Sequence, residues 1–176
     1  MDMRKTILLS VMLAFATLIS AQIKVPGTNV QFSFPHGGWK YLQTTVVDKN
    51  TTVYLYSYAA RDVIDEMGDT VLPHLRVYVR KNYDKSVYDL SYDRFNQLPY
   101  QTLSDFQPTV PGSLGLIGAY QSMLDNKSYE FRMVYLKDKN TAVEFRTETT
   151  VDTFDEFDKE FQEIIATLRV LGGKLF

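Results

Sequence analysis

The chain has 176 residues, of which 45% are hydrophobic, and this content is sufficient for one ordinary globular domain. Its formal net charge of −2 gives no electrostatic reason to expect binding to nucleic acid or to an anionic membrane surface. The absence of cysteine excludes a lipid-anchored lipoprotein, disulfide bonds and thiolate metal sites.

The first 21 residues have the composition of a secretory signal peptide. Arg4 and Lys5 precede an apolar run at 7–19, and the small residue Ala21 follows this run. The run is too short to span a bilayer, so a cleaved signal peptide at 1–21 is favoured over a retained signal anchor. Residues 22–176 are then expected to form a single exported domain, periplasmic or extracellular, without a transmembrane segment.

Signal peptide cleavage is expected between Ala21 and Gln22, because a small residue before the cut is typical of such sites. N-terminal sequencing of the exported protein should therefore begin at Gln22. Exported protein that begins at Met1 would contradict both the cleavage site and the inferred compartment.

The first part of the mature chain has the pattern of an antiparallel sheet. Alternation of apolar and polar residues predicts strands at 30–34, 43–47, 52–59 and 75–80. Proline and glycine at 35–38 indicate a turn, and Trp39 after it is the only tryptophan of the chain. A residue of this size is expected to anchor one edge of a core.

An acidic connection at 61–73 joins two of these strands and contains Asp62, Asp65, Glu66 and Asp69. Carboxylates are ligands for Ca²⁺, but their spacing here does not match an EF-hand loop. A solvated connection is the favoured interpretation, and no metal site is predicted.

The following segment predicts a short helix at 86–98, which Ser86 is expected to cap. Four proline and glycine positions within 99–112 indicate a long irregular connection. A strand is predicted at 114–124, where Gly115 and Gly118 would allow close approach of a helix or another chain.

The last part of the chain predicts a β-hairpin over 128–148. A three-residue turn of Asp138, Lys139 and Asn140 would pair Met133 with Phe145. A register shift would instead pair Phe131 with Phe145 and bring opposite charges together. Charge pairs contribute only about 0.2–1 kcal/mol each, so the turn geometry is expected to decide.

A strongly amphipathic helix follows the hairpin directly. Thr153 and Glu156 have the spacing of a capping box at its start. Its apolar residues recur at helical spacing and form one stripe. They are Phe154, Phe157, Phe161, Ile164, Ile165 and Leu168. The helix packed on the hairpin is therefore the predicted core, and the whole order of elements predicts an α+β fold with helices against an antiparallel sheet.

The segment Phe32-Ser33-Phe34-Pro35, the glycines after it and Trp39 together resemble the opening motif of PsbP-like domains. The helix at 154–171 resembles their terminal helix, so the resemblance covers roughly 25–171. It implies an antiparallel sheet sandwiched between helices. Members of this family are mostly not enzymes, and they include an extrinsic photosystem subunit, a Ran-GTPase-binding factor and exported DcrB-like bacterial proteins. No functional residue is carried over from the family, and a photosynthetic role is not implied.

The sequence offers little support for catalysis. Gly112-Ser113-Leu114-Gly115 lacks the spacing of a nucleophile elbow, and no phosphate-binding glycine loop occurs. His36 and His74 each adjoin proline, so both are expected to be exposed turn residues. No enzyme activity, cofactor or metal is predicted.

Aromatic and basic residues form the most distinctive pattern. Period-2 spacing places Tyr54, Tyr56 and Tyr58 on one face of a strand, and Tyr78 lies between Arg76 and Arg80 on a later strand. Tyrosine and arginine are enriched at binding hot spots. These six residues form a candidate partner surface if both faces lie on the same side, although packing beneath a helix is the favoured alternative.

Three functional classes remain open from the sequence. The favoured one is a non-catalytic binding or assembly module of the bacterial cell envelope with a protein partner. A carrier of a small apolar ligand or metal ion would require a deep pocket between helix and sheet. An enzyme would require buried carboxylates with shifted pKa values in a cleft.

Overall fold

The computed structural model describes residues 21–172, so the predicted signal peptide, apart from its last residue, lies outside the described residues. The strands are, in chain order, β1 (Ile23–Lys24), β2 (Val30–Phe32), β3 (Trp39–Val46), β4 (Thr51–Tyr58), β5 (Val63–Ile64), β6 (Thr70–Val71), β7 (His74–Arg80), β8 (Gln101–Phe106), β9 (Leu114–Gln121), β10 (Ser128–Asp138), β11 (Thr141–Thr150) and β12 (Arg169–Val170). The helices are α1 (Val87–Gln97) and α2 (Val151–Ala166). The predicted α+β class is confirmed.

Seven of these strands form one antiparallel sheet in the order β3-β4-β7-β11-β10-β9-β8. The predicted hairpin, β10 with β11, therefore lies at its centre. Two smaller sheets join β1, β2 and β12, and β5 and β6. Within residues 21–172, no helix has the length and apolar character needed to cross a bilayer.

The two faces of the main sheet are covered by different helices. Ile164 of α2 and Leu168, just after this helix ends, pack on one face with Val134 and Phe145. On the other face, Leu90 of α1 belongs to the cluster that contains Met133. The fold is thus a sheet between helices, and α1 covers only part of its own face.

The apolar stripe of the closing helix is confirmed, since all six of its residues are buried. The predicted capping box is wrong. Helix α2 begins at Val151 and has Thr150 as its N-cap, without a side-chain capping bond. The Thr153 hydroxyl lies inside the helix, 2.7 Å from the Thr149 hydroxyl and 2.9 Å from the Thr150 hydroxyl. By contrast, α1 has the predicted cap, in which Ser86 and Asp89 form a reciprocal capping box.

The predicted register of the central hairpin is wrong by one residue. Its turn has only two residues, because Asp138 pairs with Thr141, and Phe145 consequently lies opposite Val134. The Asp138 carboxylate accepts hydrogen bonds from the backbone N and side-chain Nδ2 of Asn29, at 2.6 and 3.3 Å. This contact holds Asp138 within the strand instead of the turn. A shift of one residue exchanges the faces, so Met133 lies beside Arg146.

The connection at 99–112 is not irregular throughout, because it contains β8. This strand pairs with β9, where two glycines permit close contact. A Cβ atom at Gly115 would lie 2.7 Å from the Phe106 carbonyl oxygen, and one at Gly118 would lie 2.6 Å from the Phe131 ring. These glycines do permit close approach, but the approaching groups are a neighbouring strand and an aromatic ring, not the predicted helix or second chain.

The acidic connection is more ordered than a solvated loop, because it contains the β5–β6 hairpin with Asp65 buried at its turn. One Asp65 oxygen accepts from the backbone N of Met67 and of Asp69 at 3.1 and 2.8 Å. The other lies 2.5 Å from Lys127 Nζ. The prediction of a fully solvated connection is thus wrong for Asp65, which ties this hairpin to the β9–β10 turn.

Candidate functional site

The six residues of the predicted aromatic and basic surface lie on opposite faces of the sheet. Tyr54 is paired with Val77, and Tyr56 with Leu75, so the tyrosines of β4 face α2. Residues directly opposite one another on antiparallel strands share a face, so Leu75, Val77 and Val79 also face α2. The residues between them on β7, Arg76, Tyr78 and Arg80, therefore point to the other face. The prediction of a single surface that contains all six residues is therefore wrong.

The three tyrosines of β4 belong largely to the core beneath α2. Tyr56 is 7% exposed, and its ring contacts Phe32 and Phe34. Tyr58 packs edge-on against Phe157. Replacing Tyr56 would consequently test packing rather than binding.

Arg76, Tyr78 and Arg80 lie on the face that α1 only partly covers. Between the end of α1 and the β9–β10 turn is a groove of about 730 Å³, whose floor is formed by β7 and β11. We call it the charged groove. Its floor consists of His74, Arg76, Tyr78, Arg146 and Glu148. Two further cavities adjoin it. The cavity of about 560 Å³ shares His74 and Arg76 with the charged groove, and the cavity of about 290 Å³ shares Tyr78 and Arg94 with it.

Arg80 lies in the smaller of these adjoining cavities and not in the charged groove. Its guanidinium is 3.7 Å from the Asp93 carboxylate and lies over the Tyr83 ring at 4.9 Å. Of the six predicted residues, the structure therefore brings only Arg76 and Tyr78 into the charged groove.

An ion pair on β11 forms the deepest part of the charged groove. Arg146 is 2% exposed and Glu148 is 0% exposed, and their facing atoms, Nε and Oε2, are 2.9 Å apart. Two positions apart on a strand, these side chains point to the same face. Removing two charges this far from water has a large desolvation cost, so the ion pair is stable only if further polar groups contact it.

Glu148 obtains those partners from two other strands of the sheet, β7 and β9. Its Oε1 atom is 2.6 Å from His74 Nε2 and 3.0 Å from Arg76 Nη1, and it accepts from the Tyr120 hydroxyl at 3.3 Å. The other ring nitrogen of His74 is 2.8 Å from the Leu72 carbonyl oxygen. The prediction that His74 is an exposed turn residue is thus wrong, whereas His36 is exposed as predicted.

The wall toward α1 is a second ionic arrangement. Arg94 of α1 lies 3.0 Å from the Glu144 carboxylate, and its guanidinium covers the Tyr78 ring at 4.2 Å. Arg146 Nη2 donates to the Tyr78 hydroxyl at 3.3 Å. Tyr78 therefore links the wall to the floor, and its position between two guanidiniums fixes its ring.

The local electrostatics keep the floor charged. Burial alone would raise the pKa of Glu148, but Arg146, His74 and Arg76 outweigh burial and hold the pKa well below its usual value. Burial would lower the pKa of Arg146, yet Glu148 and Tyr78 raise it. Burial, together with the Glu148 charge, raises the pKa of Tyr120 to about 12. At neutral pH Glu148 is ionised and Tyr120 is protonated, an arrangement suited to binding by fixed charges.

Sequence reasoning missed Arg146, Glu148, Glu144, Arg94 and Tyr120. The pattern at 143–148 did place three charged residues on one face of a strand. A strand at the centre of a covered sheet buries both faces, so such a charged face indicates a buried polar network. Among residues 21–172, no three His, Asp or Glu side chains are grouped so that they could hold a metal ion.

Comparisons with known proteins give a relationship at the level of fold. No protein-family model matches the sequence, and no curated protein is detectably similar to it, so the PsbP-like resemblance stays a prediction. Among solved structures, LpqN of Mycobacterium tuberculosis, described as involved in cell envelope biogenesis, is similar over 85% of this chain and 88% of its own, with a TM-score of 0.51 and 10% identity. At that identity the likeness shows the fold alone, and this fold is thus one that a cell envelope protein also has.

Proposed function

We propose that the protein is an exported, non-catalytic binding or assembly module of the bacterial cell envelope, built on a PsbP-like domain, that holds a protein partner at the charged groove. The observation that carries the proposal is the charged groove itself. The deepest part of its floor is a buried network of ion pairs, and α1 leaves Arg76 and Tyr78 of this floor partly exposed. A sheet face that served only as core would be apolar and covered.

The rim of the charged groove supports a protein partner. Met123 and Leu124, in the β9–β10 turn, are 99% and 100% exposed. Large apolar side chains that project next to a polar groove are typical of interaction sites. The signal-like segment at 1–21 and the fold shared with LpqN are consistent with a role in the envelope.

The same features favour binding over catalysis. Glu148 already has four close polar neighbours and a lowered pKa, so it is a poor proton acceptor at neutral pH. A carrier of a small apolar ligand is less well supported, because charged and polar side chains form the floor of the groove.

The proposal predicts that substitution at the rim abolishes capture of a partner. Leu124→Asp should leave the fold intact, because Leu124 is fully exposed, while placing a charge in the apolar rim. Affinity capture of the exported protein from its own organism, followed by mass spectrometry, should recover a partner with the wild type and lose it with this variant.

Val46→Asp is the matched control. Val46 lies on the edge strand β3, is 71% exposed and is not part of the charged groove. It should leave capture unchanged. A partner that Leu124→Asp still recovers in full would show that the groove rim is not the binding surface.

A further inference from the structure

The charged groove contains a cation whose hydrogen-bonding capacity is not used. Arg146 Nη1 is buried and has no hydrogen-bond partner among the described residues. The Nε atom lies near Glu148 but is not aligned for a hydrogen bond, and only Nη2 donates, to Tyr78. A buried guanidinium nitrogen without an acceptor is unfavourable, so an oxygen from outside the chain is expected beside it.

The charges of the floor and wall leave one positive charge in excess. Three guanidiniums, those of Arg76, Arg94 and Arg146, face two carboxylates, Glu144 and Glu148. Asp125 also lines the groove, away from this floor and wall, and its carboxylate accepts from the Tyr129 hydroxyl at 2.7 Å. A single negative charge is therefore the best complement to the floor, and it would contact Arg146 and the part-exposed Arg76.

The walls indicate what carries that charge. Side chains that suit backbone amides, namely Gln97, Gln121 and Ser122, line the groove together with the apolar Pro99, Met123 and Leu124. We propose that the charged groove binds the C-terminal carboxylate of an extended peptide segment, with Arg146 and Arg76 as the anion contacts. The inference rests on the proposed function and names the part of the partner that is recognised.

Two other anions fit the site less well. A phosphate group carries more negative charge than the single excess cation would balance. A fatty acid would need an enclosed apolar cavity for its chain, whereas this groove is open and has charged side chains on its floor. Both anions serve as comparison ligands in the test.

The test measures binding of acetylated tetrapeptides that end in leucine to the purified mature protein by isothermal titration calorimetry. The free-acid peptide is expected to bind about tenfold or more tightly than the same peptide with a C-terminal amide, since only the acid forms charge-assisted hydrogen bonds. Equal affinities for acid and amide would overturn the proposal. Octanoate or inorganic phosphate that binds as tightly as the acid would also overturn it.

Two kinds of variant locate the contact. Arg146→Met should reduce affinity for the acid peptide by about tenfold or more and leave the amide unaffected. Arg76→Gln, at a part-exposed position, should act in the same direction and serves if Arg146→Met does not fold. An acid preference that persists undiminished in Arg76→Gln, and in Arg146→Met where it folds, would overturn the assignment of these contacts.

A charge at the rim gives a measurement that does not depend on the buried pair. Leu124→Asp should weaken binding of the acid peptide roughly two- to fivefold relative to Leu124→Asn. Identical affinities in these two variants would count against an anion in the groove.

The inference and the proposed function can fail separately. If partner capture depends on the groove while acid and amide peptides bind equally, the carboxylate assignment is wrong and the binding function stands. If the acid is preferred while capture is insensitive to the rim, the carboxylate site stands and the proposed partner surface is wrong.

Discussion

Replacing Glu148 with glutamine is expected to lower the free energy of unfolding by about 3–5 kcal/mol, because it leaves a buried guanidinium without its counter-charge. Arg146 is only 2% exposed, so bulk solvent does not screen its charge once the carboxylate is lost. Urea denaturation at pH 7, followed by circular dichroism, measures the change. An unaltered midpoint would show that the Arg146–Glu148 pair is solvated in solution.

The double variant Arg146→Met, Glu148→Gln is the control for this effect. It removes both charges and should therefore recover part of the stability lost in the single variant, since a buried pair contributes little net stability. Equal destabilisation in the single and double variants would indicate that packing, and not the unpaired charge, is responsible.

The pH dependence of stability provides a second measurement of the same group. The pKa of Glu148 in the folded chain lies below its usual value of 4.5. Its contribution is therefore complete above about pH 4.5 and is lost as the pH falls further. Wild-type protein should lose stability on acidification below this value, and Glu148→Gln should lose less. Asp65 and Asp158 also have lowered pKa values, so the stability of the Glu148→Gln variant should still decrease somewhat on acidification.

Replacing Phe161 with alanine is expected to lower the free energy of unfolding by about 3–5 kcal/mol. Phe161 is 0% exposed at the middle of α2, and its ring contacts Phe154, Phe157 and Trp39. Two of these neighbours lie on α2 itself and one lies on β3, so local side-chain movement is expected to fill only part of the cavity that the substitution creates. Thermal unfolding should show a decrease of about 2–4 °C for each kcal/mol in a domain of this size.

Lys159→Ala, two residues earlier on α2, is the matched control. The Lys159 side chain is 89% exposed and makes only a 3.9 Å ion pair with Glu163. Its removal should change the free energy of unfolding by less than about 0.5 kcal/mol. Similar melting temperatures for the Phe161→Ala and Lys159→Ala variants would show that the apolar stripe of α2 is not core.

The order of strands and helices could be predicted because hydrophobic periodicity is a local property of the sequence. The alternation in β4, β7, β10 and β11 identifies them as strands, and the stripe of α2 identifies its buried face. Strand β8 could not be predicted in this way. All its residues but the last are exposed, so the strand has no apolar period, and its pairing with β9 depends on the glycines of the partner.

The hairpin register shows why local turn chemistry was insufficient. The sequence Asp-Lys-Asn-Thr occurs twice, at 48–51 and at 138–141. In the first copy the Asp48 carboxylate accepts from the backbone N of Asn50 and Thr51 at 2.7 and 2.9 Å. In the second copy Asn29 binds the equivalent carboxylate. A contact across 109 positions therefore decides the turn, and no local pattern contains it.

The candidate site was only partly predictable for the same reason. Arg76 and Tyr78 were identified from their residue types, but Arg146 and Glu148 were assigned to the polar face of a hairpin. Their burial depends on the one-residue register shift and on the position of β7 beside β11. The tyrosines of β4 and Tyr78 of β7 differ in the face of the sheet that they occupy. The alternation within each strand does not determine which of the two faces that is.

The pairing of β2 with β12 has a consequence for when the chain can fold. Val30 near the beginning pairs with Val170 near the end, and Leu168 is buried in the same cluster as Val30 and Phe32. An incompletely synthesised chain lacks the residues that close this cluster, so the core cannot be completed until Leu168 and Val170 have been synthesised. For a chain exported as proposed, this late closure would delay completion of the native core, which favours translocation of an unfolded polypeptide.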